Sequence, residues 1–141
     1  MLRLQELAPD CIMTVETSGI PLAMQTARAF NVPLVIARHT SDITEGSTVN
    51  INYVSGSTKV IQNMAMPKRA LQPGSRVLIV GGGTAKGMIA LAHEVGAQVV
   101  GKAFLIATAA PDRKLVEDYT AFFTLHNVDE EQQKVTLEVN K

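Results

Sequence analysis

The sequence predicts an α/β fold: a mostly parallel, twisted sheet with helices on both faces and an appended C-terminal β segment. Three observations predict it. Short apolar runs rich in β-branched residues recur at Cys11–Val15, Leu34–Ala37 and 77–80, as in strands that are buried on both faces. Stretches with helical apolar spacing lie between such runs. A strand, a helix and a second strand in that order form a crossover unit, whose two strands run parallel.

The first crossover unit begins with the strand Cys11–Val15 and turns into a helix. Pro21 lies near the first turn of this helix, where its missing N–H group costs little. The spacing of apolar residues predicts a core-facing stripe on the helix. This stripe consists of Ile20, Ala23, Met24, Ala27 and Phe30. Asn31 and Pro33 then end the helix before the second buried strand, Leu34–Ala37.

The segment 38–56 differs from the rest because polar residues dominate it. The alternation of Val49, Ile51 and Tyr53 indicates a hairpin-like excursion rather than plain coil. Because loops of this length in compact domains are usually functional or disordered, we predict a mobile flap over the sheet edge. Residues 59–66 are predicted to form a further strand.

The second strand-to-helix junction lies at residues 77–87. Here a buried strand runs into three glycines, which let the backbone turn tightly and approach a ligand. Thr84 is predicted to cap a helix that runs to about Val95. The core stripe of that helix consists of Met88, Leu91, Ala92 and Val95. Further strands are predicted at 97–108 (as one strand or two), at 119–125 and at 135–139.

Length and composition predict a single domain spanning 1–141, long enough for a sizeable core. A hydrophobic content of 46% with 18% charged residues excludes wholesale disorder. No apolar run reaches the roughly 20 residues of a membrane-spanning helix, so no membrane partner is expected. Cys11, the only cysteine, is predicted to lie in the core. Because one cysteine allows no internal disulfide, we expect a reducing, cytoplasmic setting.

Charge is unevenly distributed along the chain. Between Gly46 and His93 there are five basic residues and no acidic residue, whereas seven acidic and four basic residues follow from Asp112 onward. This distribution favours an anionic ligand near the middle of the chain, and it is too diffuse for a nucleic-acid-binding face. The three histidines lack the spacing of metal ligands, so no metal site is predicted. We also predict no catalytic residue.

Both strand-to-helix junctions have the chemistry of an anion-binding site. The first contains Thr17, Ser18 and Gly19, and the second contains the glycine turn that ends at Thr84. Unpaired N–H groups and the positive end of a helix dipole point into such turns. In a parallel sheet both turns lie at the carboxyl edge, where open α/β sheets bind ligands. Together they predict one ligand with two phosphate groups, or two separate anions, although either turn alone is more simply an ordinary connection.

Two runs resemble the purine operon repressor of Gram-positive bacteria: 15–21 (VETSGIP) and 44–57 (TEGSTVNINYVSGS). The resemblance continues through 61–64 and 77–87 and then, more loosely, to the C-terminus. It implies a phosphoribosyltransferase-like fold and a homodimer. In that family a winged-helix domain precedes the phosphoribosyltransferase-type domain and binds DNA. The winged helix has no counterpart in this chain, so the resemblance implies a partial phosphoribosyltransferase-like domain.

The resemblance also implies roles for individual residues. The pyrophosphate of phosphoribosyl pyrophosphate would be held by Thr17, Ser18 and Gly19. Its 5′-phosphate would be held by Gly82, Gly83 and Thr84. Weaker candidates for ligand contacts are Arg38, Tyr53, Ser55, Gly56, Ser57 and Lys59. No cofactor is required, and Mg²⁺ would bind, if at all, together with the ligand.

The chain departs from the family in its second loop. In the family this loop begins with two adjacent acids that grip the ribose hydroxyls, whereas here Val80 runs directly into Gly81. Either the protein lacks these acids or a loop is missing from this sequence. We expect a domain that binds phosphoribosyl pyrophosphate or a related purine nucleotide as the effector of a repressor of purine genes. The alternatives are an active purine phosphoribosyltransferase, which the missing acids disfavour, and a generic nucleotide-binding domain.

Overall fold

The structure is a computed structural model that describes residues 5–39, 46–55, 59–81, 85–108, 120–129 and 134–139. The first half contains strand β1 (Cys11–Val15), helix α1 (Ile20–Phe30), β2 (Leu34–Ala37), β3 (Thr48–Val54), β4 (Ile61–Pro67) and a 3₁₀ turn (Lys68–Ala70). The second half contains β5 (Arg76–Val80), α2 (Ala85–Glu94), β6 (Gln98–Thr108), β7 (Thr120–Asp129) and β8 (Lys134–Val139). Neither described helix is long and apolar enough to cross a membrane.

Six strands form one sheet in the order β2-β1-β5-β6-β7-β8. All neighbouring pairs are parallel except β7 and β8, which are antiparallel. The predicted parallel α/β sheet with an appended β segment is therefore confirmed. β1 lies between β2 and β5, since Ile12 pairs with both Leu34 and Leu78. The region 97–108 forms a single strand, β6.

The central strands carry continuous apolar runs because both of their faces are buried. In β1, Cys11 and Met13 point into a core formed with α2, whereas Ile12 points into a core formed with α1. The residues of β5 alternate in the same way, with Ile79 on the α2 side and Leu78 on the α1 side. Successive side chains of a strand point to opposite faces, so helices on both faces leave no position for a polar surface residue.

Helix α1 packs on the sheet through a narrower face than its apolar residues predict. Ala23 and Ala27 are buried, but Met24 is 56% exposed, so its assignment to the core-facing stripe is wrong. Met24 follows Ala23 by one position and therefore points about 100° further around the helix. This direction lies outside the narrow face, formed by Ala23 and Ala27, that contacts the sheet. In α2 the predicted stripe is confirmed, because Met88, Leu91 and Ala92 are all fully buried.

The predicted hairpin-like excursion contains β3, whose partner is β4, the strand predicted after it; that the segment is mobile stays a prediction. β3 and β4 pair with each other as a separate antiparallel sheet and pack against α2. Tyr53, Met64 and Met66 are buried in the same core as β1 and β5. The polar composition of the segment hid this packing, because only one face of the hairpin is apolar. Residues 40–45 and 56–58 of this part of the chain lie outside the described residues.

Cys11 is a core residue, as predicted, with 6% of its surface exposed. Burial raises the pKa of the Cys11 thiol from its ordinary value of 9.0 to about 11, and the Asp10 carboxylate adds to the rise. The folded protein therefore holds this proton more tightly than the unfolded chain does. The resulting stabilisation is fully present below pH 9 and is lost as the pH rises through about 11.

We therefore expect the free energy of unfolding to fall between pH 9 and about 11, and to fall further in the parent protein than in Cys11→Ala. The difference should be about 2–3 kcal/mol, since one pKa unit corresponds to about 1.4 kcal/mol. Chemical denaturation at several pH values, under reducing conditions, measures the free energy of unfolding of both proteins. Burial also raises the pKa of Tyr53, so the comparison with Cys11→Ala isolates the contribution of the thiol. Equal slopes in the two proteins would show that Cys11 titrates alike in the folded and unfolded states.

Candidate anion-binding site

The order of strands places a topological switch point between β1 and β5. From β1 the chain crosses to β2 on one side, and from β5 it crosses to β6 on the other side. The loops after these two neighbouring strands therefore leave the carboxyl edge in opposite directions and open a crevice between them. Open α/β sheets bind their ligands at such a crevice. The two junctions predicted from the sequence are the loops that flank it.

The loop after β1 leads directly into the N-terminus of α1. Thr17 and Ser18 are exposed, and Gly19 is the N-cap residue. The peptide bond between Glu16 and Thr17 is cis. No side chain caps α1, and its first turn carries no acidic residue. The positive end of this helix dipole therefore meets no negative side chain from its own first turn, which suits an anion from solution.

The two loops touch at their glycines. A Cβ atom on Gly19 would lie 2.5 Å from Thr14 Oγ1, 3.3 Å from Gly81 Cα and 3.6 Å from the Val80 carbonyl oxygen. Real Cβ atoms essentially never approach another atom this closely, so a side chain on Gly19 would clash with Thr14 Oγ1. The backbone of the first loop thus lies directly against the start of the second.

The side chain of Thr14 lies directly beneath this contact. Its side chain is fully buried, and among the described residues Oγ1 has no hydrogen-bond partner. The same oxygen would lie 3.7 Å from a Cβ atom on Gly81, so it sits beneath both loops. Buried hydroxyl groups are nearly always hydrogen-bonded, and one without a partner calls for an explanation. Thr14 was not predicted, although it is the only polar side chain in β1.

The second loop is described at its two ends. The Gly81 N–H group donates to the Ala103 carbonyl oxygen at 3.1 Å, which ties the start of the loop to β6. The predicted phosphate-binding residues Gly82, Gly83 and Thr84 lie outside the described residues, so their role stays a prediction. Helix α2 begins at Ala85, and its first turn also lacks acidic residues.

The weaker candidates are distributed over two places. Arg38 is exposed at the end of β2, beside the first loop, and its backbone pairs with that of Ala65. Tyr53 is buried in the core, whereas Ser55 and Lys59 close the hairpin through the bond from the Lys59 N–H group to the Ser55 carbonyl oxygen. Gly56 and Ser57 lie outside the described residues.

Glu16 joins the first loop to the end of β2. Its Oε1 atom accepts a hydrogen bond of 2.9 Å from the backbone N–H group of His39. The Nδ1 atom of His39 lies 3.4 Å from the Tyr53 hydroxyl oxygen, and that hydroxyl donates to Gln62 Oε1 at 3.0 Å. The sequence offered no signal for these contacts, because they depend on the strand order.

Three of the five basic residues in the middle of the chain lie away from the two loops, whereas Lys86 stands in the first turn of α2. Lys68 and Arg69 line a cavity of about 930 Å³ at the opposite, amino edge of the sheet, together with Pro73 and Glu94. Arg76 also lies at that edge, where its side chain donates to the Leu7 and Ala8 carbonyl oxygens. The prediction of an anion site near the middle of the chain stays a prediction, and these three basic side chains do not contribute to the crevice. Within the described ranges, no group of three or more metal-ligating side chains is present.

Comparison with known proteins identifies the family. The family model of the phosphoribosyl transferase domain matches residues 3–140. The purine biosynthesis transcriptional repressor PurR of Bacillus subtilis (strain 168) is 43% identical over 134 residues, covering 92% of this chain and 47% of that protein. The xanthine phosphoribosyltransferase of Streptococcus pyogenes serotype M5 (strain Manfredo) is 33% identical over 114 residues, covering 76% of this chain and 59% of that protein.

Among solved structures, the adenine phosphoribosyltransferase of Giardia lamblia complexed with 9-deazaadenine superposes with a TM-score of 0.78. The match covers 89% of this chain and 75% of the Giardia lamblia protein at 17% identity, so it supports the fold alone. The chain spans about half the length of the PurR relative, since it covers 47% of that protein. The predicted phosphoribosyltransferase-like fold and the resemblance to the purine repressors are both confirmed. The chain therefore belongs to the phosphoribosyl transferase domain family.

Proposed function

We propose that this chain is the effector-binding domain of a transcriptional repressor of purine biosynthesis genes, and that its effector is phosphoribosyl pyrophosphate or a related purine nucleotide. The observation that carries the proposal is the contact of Gly19 with Gly81 at the switch point, above the Thr14 hydroxyl, which has no hydrogen-bond partner among the described residues. Two helix N-termini, each without acidic residues in its first turn, open at that point. A ligand with a phosphate group at each end matches this arrangement.

Binding relies on backbone groups more than on charged side chains. The loop of Thr17, Ser18 and Gly19 presents N–H and hydroxyl groups to the pyrophosphate of the ligand, and the glycine turn before α2 receives the 5′-phosphate. Arg38 supplies a positive charge at the neighbouring strand end. Mg²⁺ would be held mainly by the phosphate oxygens of the ligand, because this ion usually keeps few protein ligands.

Two observations favour an effector domain over an enzyme. Identity to the PurR repressor is 43%, against 33% to the xanthine phosphoribosyltransferase. In this sequence Val80 also runs directly into Gly81; unless a loop is missing there, the two acids with which the resembled family grips the ribose are absent, which disfavours transfer chemistry. Charged hydrogen bonds contribute about 1.5–3 kcal/mol each, so their loss weakens the hold on the sugar. DNA binding through a winged-helix domain, assembly as a homodimer and a cytoplasmic location belong to the same proposal.

Titration calorimetry with phosphoribosyl pyrophosphate, with and without Mg²⁺ and a purine base, tests the proposal. We expect saturable binding without release of pyrophosphate, because the loops bind both ends of the ligand while the sugar lacks its acidic partners. Release of pyrophosphate on addition of a base would instead establish the transferase. Tight binding of other nucleotides, with none of phosphoribosyl pyrophosphate, would indicate a generic nucleotide-binding domain.

The variant Gly19→Ala tests the contact of the two loops. A Cβ atom at this position displaces the first loop from Thr14 and Gly81, at a cost of about 1–3 kcal/mol in stability. We expect the affinity for phosphoribosyl pyrophosphate to fall by at least about tenfold, because about 1.4 kcal/mol of lost binding free energy has that effect.

Gly74→Ala is the matched control. Gly74 has a φ of +82° with open space around it and precedes β5 at the opposite edge of the sheet. A side chain in this left-handed conformation costs about 1–2 kcal/mol in stability, with no effect expected on ligand binding. Equal loss of affinity in both variants would mean that binding responds to stability in general, and that the contact of the loops is not the site.

A further inference from the structure

Tyr53 occupies the interior between the hairpin and α2. Only 8% of its surface is exposed, and a Cβ atom on Gly87 would lie 3.0 Å from ring atoms Cδ1 and Cγ. Glycine inside a helix is unfavourable relative to alanine. Its presence in the first turn of α2 is explained by the ring, which takes the space of a side chain. Tyr53 therefore packs directly on the helix that follows the glycine turn.

The hydroxyl of Tyr53 lies between Gln62 of β4 and His39 at the end of β2. A phenol has a single proton, and here it is donated to Gln62 Oε1 at 3.0 Å. The phenol oxygen also lies 3.4 Å from His39 Nδ1, and a hydrogen bond between them requires the histidine tautomer that carries its proton on that nitrogen. The backbone N–H group of His39 donates in turn to Glu16 Oε1. Glu16 directly precedes Thr17, so this series of contacts ends at the first loop.

We propose that Tyr53 is a positioning residue that fixes the spacing between the loop after β1 and the N-terminus of α2. It holds α2 through Gly87, and it holds the loop after β1 through His39 and Glu16. The chain sequence alone suggested a ligand contact on a flap, but the ring is buried and its hydroxyl already has two neighbours. The identity of the ligand rests on the proposed function, whereas the geometry of the contacts does not.

A spacing role has a distinctive consequence for binding. Phosphoribosyl pyrophosphate spans both loops, whereas inorganic pyrophosphate and ribose 5-phosphate each need only one. Loss of the Tyr53 hydroxyl should therefore weaken the spanning ligand and spare the two single-loop ligands. A purely structural role would affect all three alike, and a direct contact would weaken one single-loop ligand as much as the spanning ligand.

The test is Tyr53→Phe, which keeps the ring on Gly87 and removes the hydroxyl. We expect affinity for phosphoribosyl pyrophosphate to fall about fivefold, as for the loss of one hydrogen bond, with the two single-loop ligands unchanged. Gln62→Met is the matched control, because it removes the other partner of the hydroxyl within the hairpin and leaves His39 in place. This control should bind all three ligands as the parent protein does.

Amide hydrogen exchange on the ligand-free protein supplies a second measurement. In Tyr53→Phe we expect faster exchange at two amides beside the first loop: that of His39, which donates to Glu16, and that of Ala23, which donates to Gly19. The amide of Gln98, which donates to Ser75 at the amino edge, should exchange as in the parent protein. Unchanged exchange together with unchanged affinities would overturn the proposal, as would a loss confined to one single-loop ligand. If the parent protein does not bind phosphoribosyl pyrophosphate, the proposed function fails, and exchange alone decides the role of Tyr53.

Discussion

The structure depends on the close approach of two backbones at one point of the sheet edge. β1 and β5 are neighbours, about 4.8 Å apart as strands in a sheet are, and the loops that follow them turn away from each other. These loops can begin so close together only because Gly19 carries no side chain where Thr14 and Gly81 already fill the space. The N-termini of both helices open at that point, so backbone packing at the edge determines where charge can be bound.

The parts of the fold that follow from local pattern were predictable. β1 and β5 read as apolar runs because each is buried on both faces, β2 has one buried and one half-buried face, and the crossover through α1 requires parallel strands. The hairpin was harder. Its outer face carries polar residues such as Asn50 and Asn52, so the apolar residues of the inner face, including Ile51 and Tyr53, looked like weak alternation in a solvated segment.

For the candidate site, too, local features were predictable from the sequence and contacts between distant segments were not. Small residues before a helix, as in Thr17, Ser18 and Gly19, indicate an anion-binding turn from sequence alone. Contacts between distant segments, such as Glu16 with His39, depend on the order of strands, which periodicity does not determine. A partial signal existed at Gly87, because a glycine inside a predicted helix usually has a packing reason. Only the structure identifies that reason as the ring of Tyr53.

An effector domain and an enzyme make different demands on the same crevice. Transferase chemistry needs interactions that strengthen in the transition state at the reacting sugar, whereas uniform binding of both phosphate ends adds little to the rate. A regulator needs only a ligand that binds one conformation of the protein better than another, and coupling of about 1–3 kcal/mol suffices. A crevice flanked by two helix N-termini whose first turns carry no acidic residue suits the anionic effector of the proposed function. Under the proposed function, the spacing of the two helix N-termini selects for a ligand that carries both phosphate groups.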